Sequence, residues 1–171
     1  MRGYRFLAGE RVTAAKLNMG ELIGFASITA NAPTTTSTTE VAIITTPTVT
    51  FKAGRAYEFE LRGLVQHSTA NLGDLCAFRI RRSNTTGTLI RNLGTIVVTN
   101  RATTARNNNV TLNHIGINTS VLDITVPVVA TYSWDTGSSS TFTFAASAAT
   151  PASLAIWDLG TAVDYPGAGT I

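Results

Sequence analysis

The chain has 171 residues, of which only 13% are charged, and its net charge of +3 rests on 13 Lys and Arg against 10 Asp and Glu. Its basic residues form no run longer than Arg81-Arg82, so we do not expect the clustered basic surface of a nucleic-acid-binding protein. The single cysteine excludes an intrachain disulfide, and no apolar stretch reaches the roughly 18 residues of a membrane-spanning helix.

The first 24 residues differ in character from the rest. Residues 1–12 contain two glycines and show no periodicity, which is typical of an extended arm. Thr13 is a suitable N-cap for a short helix from Ala14 to about Leu22. Because a helix this short is not stable alone in water, we expect residues 1–24 to form an anchor arm and short helix, and residues 25–171 to form the folded domain.

The remainder of the chain predicts strands. Threonine is the most abundant residue, and β-branched residues suit a pleated, half-buried surface. Segments rich in β-branched and aromatic residues alternate with turn formers about every 8–12 residues. They are LIGFASITA (22–30), EVAIIT (40–45), TVTFKA (48–53), AYEFELRGLV (56–65), LCAFRIRR (75–82), TLIRNLGTIVVT (88–99), VTLNHIGI (110–117), VLDITVPVVATYSW (121–134), TFTFAASA (141–148) and SLAIWDLG (153–160).

This pattern indicates an all-β fold, an antiparallel β-sandwich with jelly-roll-like topology; an immunoglobulin-like sandwich is the alternative. We expect more than about 40% of the residues in strands and no helix outside residues 13–24. The KAGR segment (52–55) predicts a hairpin turn between its flanking strands.

Alternation within the strands predicts which side chains are buried. In 56–65, apolar residues alternate with Glu58, Glu60 and Arg62, as in a half-buried antiparallel strand. The predicted core is Phe51, Tyr57, Phe59, Leu61, Cys76, Phe78, Ile80, Phe142, Phe144, Leu154 and Ile156. Arg79 and Arg81 are expected to face outward and to meet the two glutamates across strands.

No residue pattern indicates catalysis, a metal site or a cofactor. His67 and His114 lack partners at metal-ligand spacing, and both are interpreted as loop or strand-face histidines. Cys76 is interpreted as an inert core thiol. The aspartates, among them Asp74, lie at turns or strand ends, where they cap backbone amides. We therefore expect a protein that is not an enzyme.

A carbohydrate-binding site would need exposed aromatic side chains, for which Trp134 and Trp157 are the candidates. Both are interpreted more simply as core or sheet-edge residues, because each ends a predicted strand among alternating apolar neighbours. Glycan binding therefore stays an alternative.

The opening FLAGERVTAAKLN (6–18) resembles the F-x-x-G-x-x-(V/L)-T-A-x-x-L-N start of many structural proteins of tailed bacteriophages, especially those of actinobacterial hosts. The body is similar to a small β-sandwich family of these virions. The segments that carry this similarity, in the expected order, are FKAGRAYEFELRG (51–63), FRIRRSNTTGTLI (78–90), STFTFAASA (140–148) and SLAIWDLGTA (153–162). The chain departs from the pattern at Thr161, where relatives often have proline.

The resemblance implies a structural component of a phage virion, made in the host cytoplasm. A tail-tip or tail-fibre protein is favoured, and a head decoration protein or head fibre is the alternative. From another class, a carbohydrate-binding β-sandwich module remains open. The expected partners are other virion proteins, two further copies in a homotrimer, and a host-surface glycan as a candidate ligand. Attachment is predicted to use Phe6, Leu7, Val12 and Leu17.

Overall fold

The computed structural model describes residues 20–68, 74–98, 108–136 and 141–171. Among the described residues, strands account for 65% and helix for 2%, which confirms the predicted all-β class. The described strands are β1 (Glu21–Ile28), β2 (Val41–Thr45), β3 (Val49–Phe51), β4 (Arg55–His67), β5 (Asp74–Arg82), β6 (Leu89–Val98), β7 (Asn108–Ile117), β8 (Ile124–Val126), β9 (Val128–Thr136), β10 (Phe142–Ala145), β11 (Ala152–Thr161) and β12 (Gly169–Thr170). A single 3-10 turn, Ala162–Asp164, follows β11 within these residues.

The strand order is that of a jelly roll. A six-stranded sheet has the order β1-β11-β4-β7-β12, with β10 also paired to β4, and a four-stranded sheet has the order β2-β9-β5-β6. Except for the parallel pair of β12 with β7, the pairs in both sheets are antiparallel. The eight main strands are β1, β2, β4, β5, β6, β7, β9 and β11. In chain order they cross from one sheet to the other at every step except from β5 to β6, which pair within the four-stranded sheet, and this is the connectivity of two Greek keys. The predicted sandwich and its favoured topology are therefore observed.

The core lies between the two sheets. All eleven side chains predicted to be buried are fully buried, which confirms the register read from the alternation. Aromatic rings join the layers: Phe78 of the four-stranded sheet lies 5.9 Å, centroid to centroid, from Phe144 on β10, in an edge-on contact. Phe78 also stacks on Tyr132 at 6.3 Å. The sandwich is thus held by rings from both sheets.

Two local predictions were wrong. The predicted helix lies mostly outside the described residues, but its last two residues, Glu21 and Leu22, begin β1 and pair with Asp158 and Trp157. Pairing with β11 gives the backbone N–H and C=O groups of these residues hydrogen-bond partners, whereas the last carbonyl groups of a short helix have none within the helix. The KAGR segment is also no hairpin, because β3 pairs with β8 while β4 belongs to the six-stranded sheet.

Gly63 of β4 marks a point of close packing in the core. A Cβ atom there would lie 2.4 Å from Cε1 of Phe144 and 3.0 Å from Cβ of Ala152. We therefore expect Gly63→Ala to lower the free energy of unfolding by about 1–3 kcal/mol, the usual cost of overpacking. Urea denaturation would measure this loss. Phe144→Leu removes the ring atoms that the new methyl group would meet, so Gly63→Ala should cost less in a Phe144→Leu background than in the wild type. A Gly63→Ala variant as stable as the wild type would contradict the packing described.

Candidate functional site

The outer face of the six-stranded sheet combines apolar and acidic side chains. Here the outer face means the side chains of β1, β11, β4 and β7 that point away from the core. Strand pairing places them in three rows. The rows are Leu22–Trp157–Glu58–Ile115, Phe25–Ala155–Glu60–Asn113 and Ser27–Ser153–Arg62–Thr111.

Glu58 and Glu60 are only 7% and 5% exposed, although they point away from the core. The Nδ2 of Asn113 donates to Oε1 of Glu58 at 3.1 Å, and Nε of Arg62 donates to Oε1 of Glu60 at 2.6 Å. Both carboxylates take part in further interactions. A buried carboxylate is costly unless cations or hydrogen bonds compensate it, and these partners supply that compensation for Glu58 and Glu60.

The apolar part of the outer face lies next to these glutamates. Leu22 is 46% and Phe25 is 51% exposed. Together with Trp157, Glu60 and Arg62 they line a recess of about 230 Å³. Trp157 lies in the middle of β11 rather than at a strand end, so that part of its interpretation was wrong. Trp134 packs against the core and belongs to the other sheet.

Sequence reasoning missed Phe25 and Leu22 as surface residues. LIGFASITA reads as a continuous apolar strand, and its alternation is broken by a β-bulge between Leu22 and Gly24. A bulge inserts one residue and changes which side chains face outward. One signal was present in the sequence: both faces of the predicted strand 22–30 carry apolar side chains. An edge strand such as β1 needs apolar side chains only on the face that contacts the core.

Residues 1–19 join the body at one edge of this face. The backbone N–H of Gly20 donates to the carbonyl of Asp158 at 2.8 Å. Gly20 has φ +91°, a backbone conformation that glycine adopts readily and other residues avoid, so the chain can turn sharply there. Asp158 is held in turn by Arg55, with Nε 2.7 Å from Oδ2. The predicted attachment residues Phe6, Leu7, Val12 and Leu17 lie outside the described residues.

His67 and Asp74 form a buried pair that the sequence did not predict. His67 is fully buried at the end of β4, with Nε2 2.5 Å from Oδ2 of Asp74 at the start of β5. Its ring lies 5.2 Å from that of Phe142. His67 is thus a strand residue, as one of the two predicted placements had it, but it is buried, and Asp74 is more than a turn cap. The pair joins the two sheets, because β4 and β5 belong to different ones.

His114 lies on β7, and burial together with the charge of Arg91 lowers its pKa. The Nε of Arg91 donates to the carbonyl of Ile115 at 3.1 Å, which places this guanidinium across the gap between β6 and β7. His114 is therefore a neutral strand-face histidine near neutral pH, as the sequence indicated. Within the part of the chain that the structure describes, no group of three or more His, Cys, Asp or Glu side chains could hold a metal ion.

The predicted pairing of Arg79 and Arg81 with Glu58 and Glu60 was wrong. Both arginines pair with Glu40 instead: Nη2 of Arg81 lies 2.5 Å and Nη1 of Arg79 lies 3.4 Å from its Oε1. The arginines lie on the four-stranded sheet and the two glutamates on the other, so their outward faces point in opposite directions. Burial alone would raise the pKa of Glu40, but hydrogen bonds from Arg81 and Thr131 outweigh it and lower the pKa.

Cys76 has the inert environment predicted for it. Its thiol is fully buried, and burial raises its pKa far above the ordinary value. Because the thiolate is the reactive form, we expect the native protein to resist a thiol reagent such as dithionitrobenzoate, and to react promptly and stoichiometrically once unfolded in guanidinium. Absorbance of the released thiolate measures both rates; a fast reaction of the native protein would contradict this placement.

No protein-family model matches the chain, and no curated protein matches it significantly. Among solved structures, the chain is similar to the VP2 subviral particle of infectious bursal disease virus, with 18% identity over 84% of this chain and 34% of that one, at a TM-score of 0.41. It is also similar to the CBM22-1–GH10 modules of Clostridium thermocellum xylanase 10B complexed with xylohexaose, with 10% identity over 85% of this chain and 28% of that one, at a TM-score of 0.33.

The chain thus spans about a third of the length of these structures. At these identities and TM-scores the likeness says nothing about function, and the jelly-roll assignment rests on the strand order of this chain alone. No helix among the described residues is both long and apolar enough to cross a membrane.

Proposed function

We propose that the chain is a structural component of a tailed-phage virion, attached through its N-terminal segment. A position at the tail tip or in a tail fibre is favoured, and a head decoration protein or head fibre is the alternative. The observation that carries the proposal is the arrangement of the chain: the phage-like opening FLAGERVTAAKLN leads directly into a rigid jelly-roll body. Such a body offers surfaces for neighbouring proteins and needs no catalytic site.

The end of the sandwich at which residues 1–19 enter supports this proposal, because it exposes aliphatic side chains. Val121, Leu122 and Val163 are 91%, 70% and 78% exposed. Their loops are tied together by hydrogen bonds from Ala53 N to Asp123 Oδ1 at 2.8 Å, and from Ala162 N to Gly54 O at 2.9 Å. Exposed apolar side chains on loops that are held by hydrogen bonds can form a surface for contact with another protein. In this proposal, that end faces the neighbouring virion protein or copy.

Deletion of residues 1–20 tests the attachment. The truncated body should stay folded, with a melting temperature close to that of the full chain, and should be absent from purified particles. A Val97→Ser variant is the matched control, because it changes an exposed side chain elsewhere on the body and should be incorporated normally. Incorporation of the truncated body would refute attachment by this segment; a large fall in its melting temperature would show that the segment belongs to the fold.

The proposed assembly is a homotrimer. Light scattering on the purified protein should then give three times the chain mass of 18.0 kDa. The exposed aliphatic end supplies apolar surface for such contacts. A stable monomer at micromolar concentration would contradict the trimer, and would leave attachment to other virion proteins to be tested separately by the deletion.

A further inference from the structure

We propose that the outer face of the six-stranded sheet binds a neutral, linear oligosaccharide with β-1,4 linkages, which lies across β1, β11, β4 and β7. The binding is a property of the isolated protein and does not depend on a place in the virion. Two adjoining recesses on this face, the mixture of aromatic and polar side chains that line them, and the charge of the face carry the inference.

The first recess lies on β1 and β11 and is here called the aromatic recess. Phe25 is 51% exposed and lines this recess together with the partly exposed Trp157. Phe25 is the cross-strand partner of Ala155, so Trp157, two residues further along β11, is its diagonal neighbour at a separation that aromatic side chains can span. The negative face of an aromatic ring attracts polarised C–H groups, and a sugar ring presents such groups on its faces. With a volume of about 230 Å³, the recess is smaller than the pockets that enclose a drug-sized ligand and suits one sugar ring.

The second recess lies on β4 and β7 and is here called the Tyr165 recess. It has a volume of about 380 Å³, and Asn113, Ile115 and Tyr165 are among the residues that line it. Glu58 lines it too and is the cross-strand partner of Trp157, so the two recesses meet at this pair. The strand order places β1 and β7 three strand spacings apart, which is about 15 Å. A few sugar rings joined by β-1,4 linkages form an extended chain of that length, with an aromatic side chain in each recess.

Polar side chains line the same recesses as the aromatic rings. Ser153 and Arg62 line the aromatic recess, and the Arg62 side chain is 60% exposed. Asn113 is exposed and lines the Tyr165 recess. Hydroxyl, guanidinium and amide groups together donate and accept hydrogen bonds, as the hydroxyls of a sugar require. This mixture fits a ligand with C–H faces and hydroxyls better than it fits the continuous apolar patch of a protein contact.

The charge of the face favours a neutral sugar. Glu58, Glu60 and Arg62 are the charged residues of its three rows. Arg62 is already paired with Glu60, and Asn113 donates to Glu58. A sugar carboxylate, a sulfate or a phosphate would bring negative charge to a face that has two carboxylates and one cation, and the face would repel it.

Tryptophan fluorescence of the purified full-length protein tests the binding. The chain has two tryptophans, and Trp134 packs against the core on the other sheet, so a Trp134→Phe variant reports on Trp157 alone. Titration with cellopentaose, xylopentaose or N-acetylchitopentaose should give a saturable change for at least one of these neutral sugars. Oligoglucuronate, which has the same linkage but a carboxylate on each ring, should give none. Calorimetry on the wild-type protein measures the same affinity without the substitution.

Two variants locate the bound sugar. Phe25→Ser and Tyr165→Ala should each weaken the binding by about tenfold, because each removes the aromatic contact of one recess. Phe25→Ser replaces an exposed side chain, so the body stays folded even if the Tyr165 variant does not, and thermal unfolding checks both. Val97→Ser is the matched control, because Val97 is 54% exposed and lies on β6 of the four-stranded sheet. It should bind the sugar as the wild type does.

Four results would overturn the proposal. The first is the absence of saturable binding of all three neutral sugars by both fluorescence and calorimetry. The second is binding that is unchanged in Phe25→Ser and Tyr165→Ala, because the sugar would then lie elsewhere. The third is tighter binding of oligoglucuronate than of the neutral sugars. The fourth is a change of oligomer mass in Phe25→Ser without any sugar binding, which would identify a second copy as the occupant of this face.

Discussion

Replacing Phe59 or Phe78 by alanine is expected to lower the free energy of unfolding by about 3–5 kcal/mol, the usual cost of emptying a buried phenylalanine site. Both side chains are fully buried. Phe59 extends from the six-stranded sheet to within 5.9 Å of the Phe51 ring, and Phe78 extends from the four-stranded sheet towards Phe144. Each truncation leaves a cavity between the sheets that rigid strands cannot close.

Phe25→Ala is the matched control for these two changes, since Phe25 is 51% exposed on an edge strand. It should cost about 1 kcal/mol or less. Urea denaturation gives all three values under the same conditions. A cost for Phe25→Ala as large as that for Phe59→Ala would mean that β1 is packed differently from the structure described.

Alkaline pH is expected to destabilise the protein strongly. Tyr57 and Tyr132 are fully buried, and burial raises the pKa of each to about 12. Their hydroxyls are already engaged: Tyr57 accepts from the N–H of Lys52 at 2.5 Å, and Tyr132 donates to the carbonyl of Pro33 at 2.6 Å. Ionising either one inside the sandwich would place a charge where water does not reach.

The direction of the effect follows from proton linkage. Above pH 10 the unfolded tyrosines lose their protons while the folded ones keep them, so the unfolded state binds fewer protons and stability falls as pH rises. The contribution is complete below pH 10 and is lost as pH approaches 12. Each tyrosine accounts for a loss on the order of 2–3 kcal/mol across this window.

Urea unfolding at pH 8 and at pH 11.5 would measure this loss. The double variant Tyr57→Phe and Tyr132→Phe is the control, because it removes both hydroxyls and should lose far less stability between the two pH values. If wild type and double variant lose the same amount, the two tyrosines are not the groups responsible.

The core could be predicted from the sequence because alternation is a local property. Tyr57, Phe59 and Leu61 are two residues apart, and a strand turns every second side chain to the same face. That rule needs no knowledge of which strand lies next to β4. It also predicted Phe78 and Ile80 on β5, although that strand belongs to the other sheet.

The ion-pair partners of Arg81 and His67 could not be predicted, because they depend on which strands lie next to each other, and this is not a local property of the sequence. Arg81 meets Glu40, 41 residues away, rather than Glu60, since β4 and β5 belong to different sheets. His67 and Asp74 are close in sequence, yet their contact depends on how β4 crosses to β5. Phe25 points outward because of the bulge between Leu22 and Gly24, and the position of a bulge could not be predicted from the apolar pattern.

The most direct test of the proposed function is to look for this chain in purified phage particles, by cryo-electron microscopy with mass spectrometry of the same particles. The particles are those produced from the genome that carries the coding sequence. The account predicts jelly-roll density that fits this strand order, at the tail tip or tail fibre, with residues 1–24 in contact with an adjacent virion protein or copy. Particles that lack the chain, by both density and mass spectrometry, would contradict it.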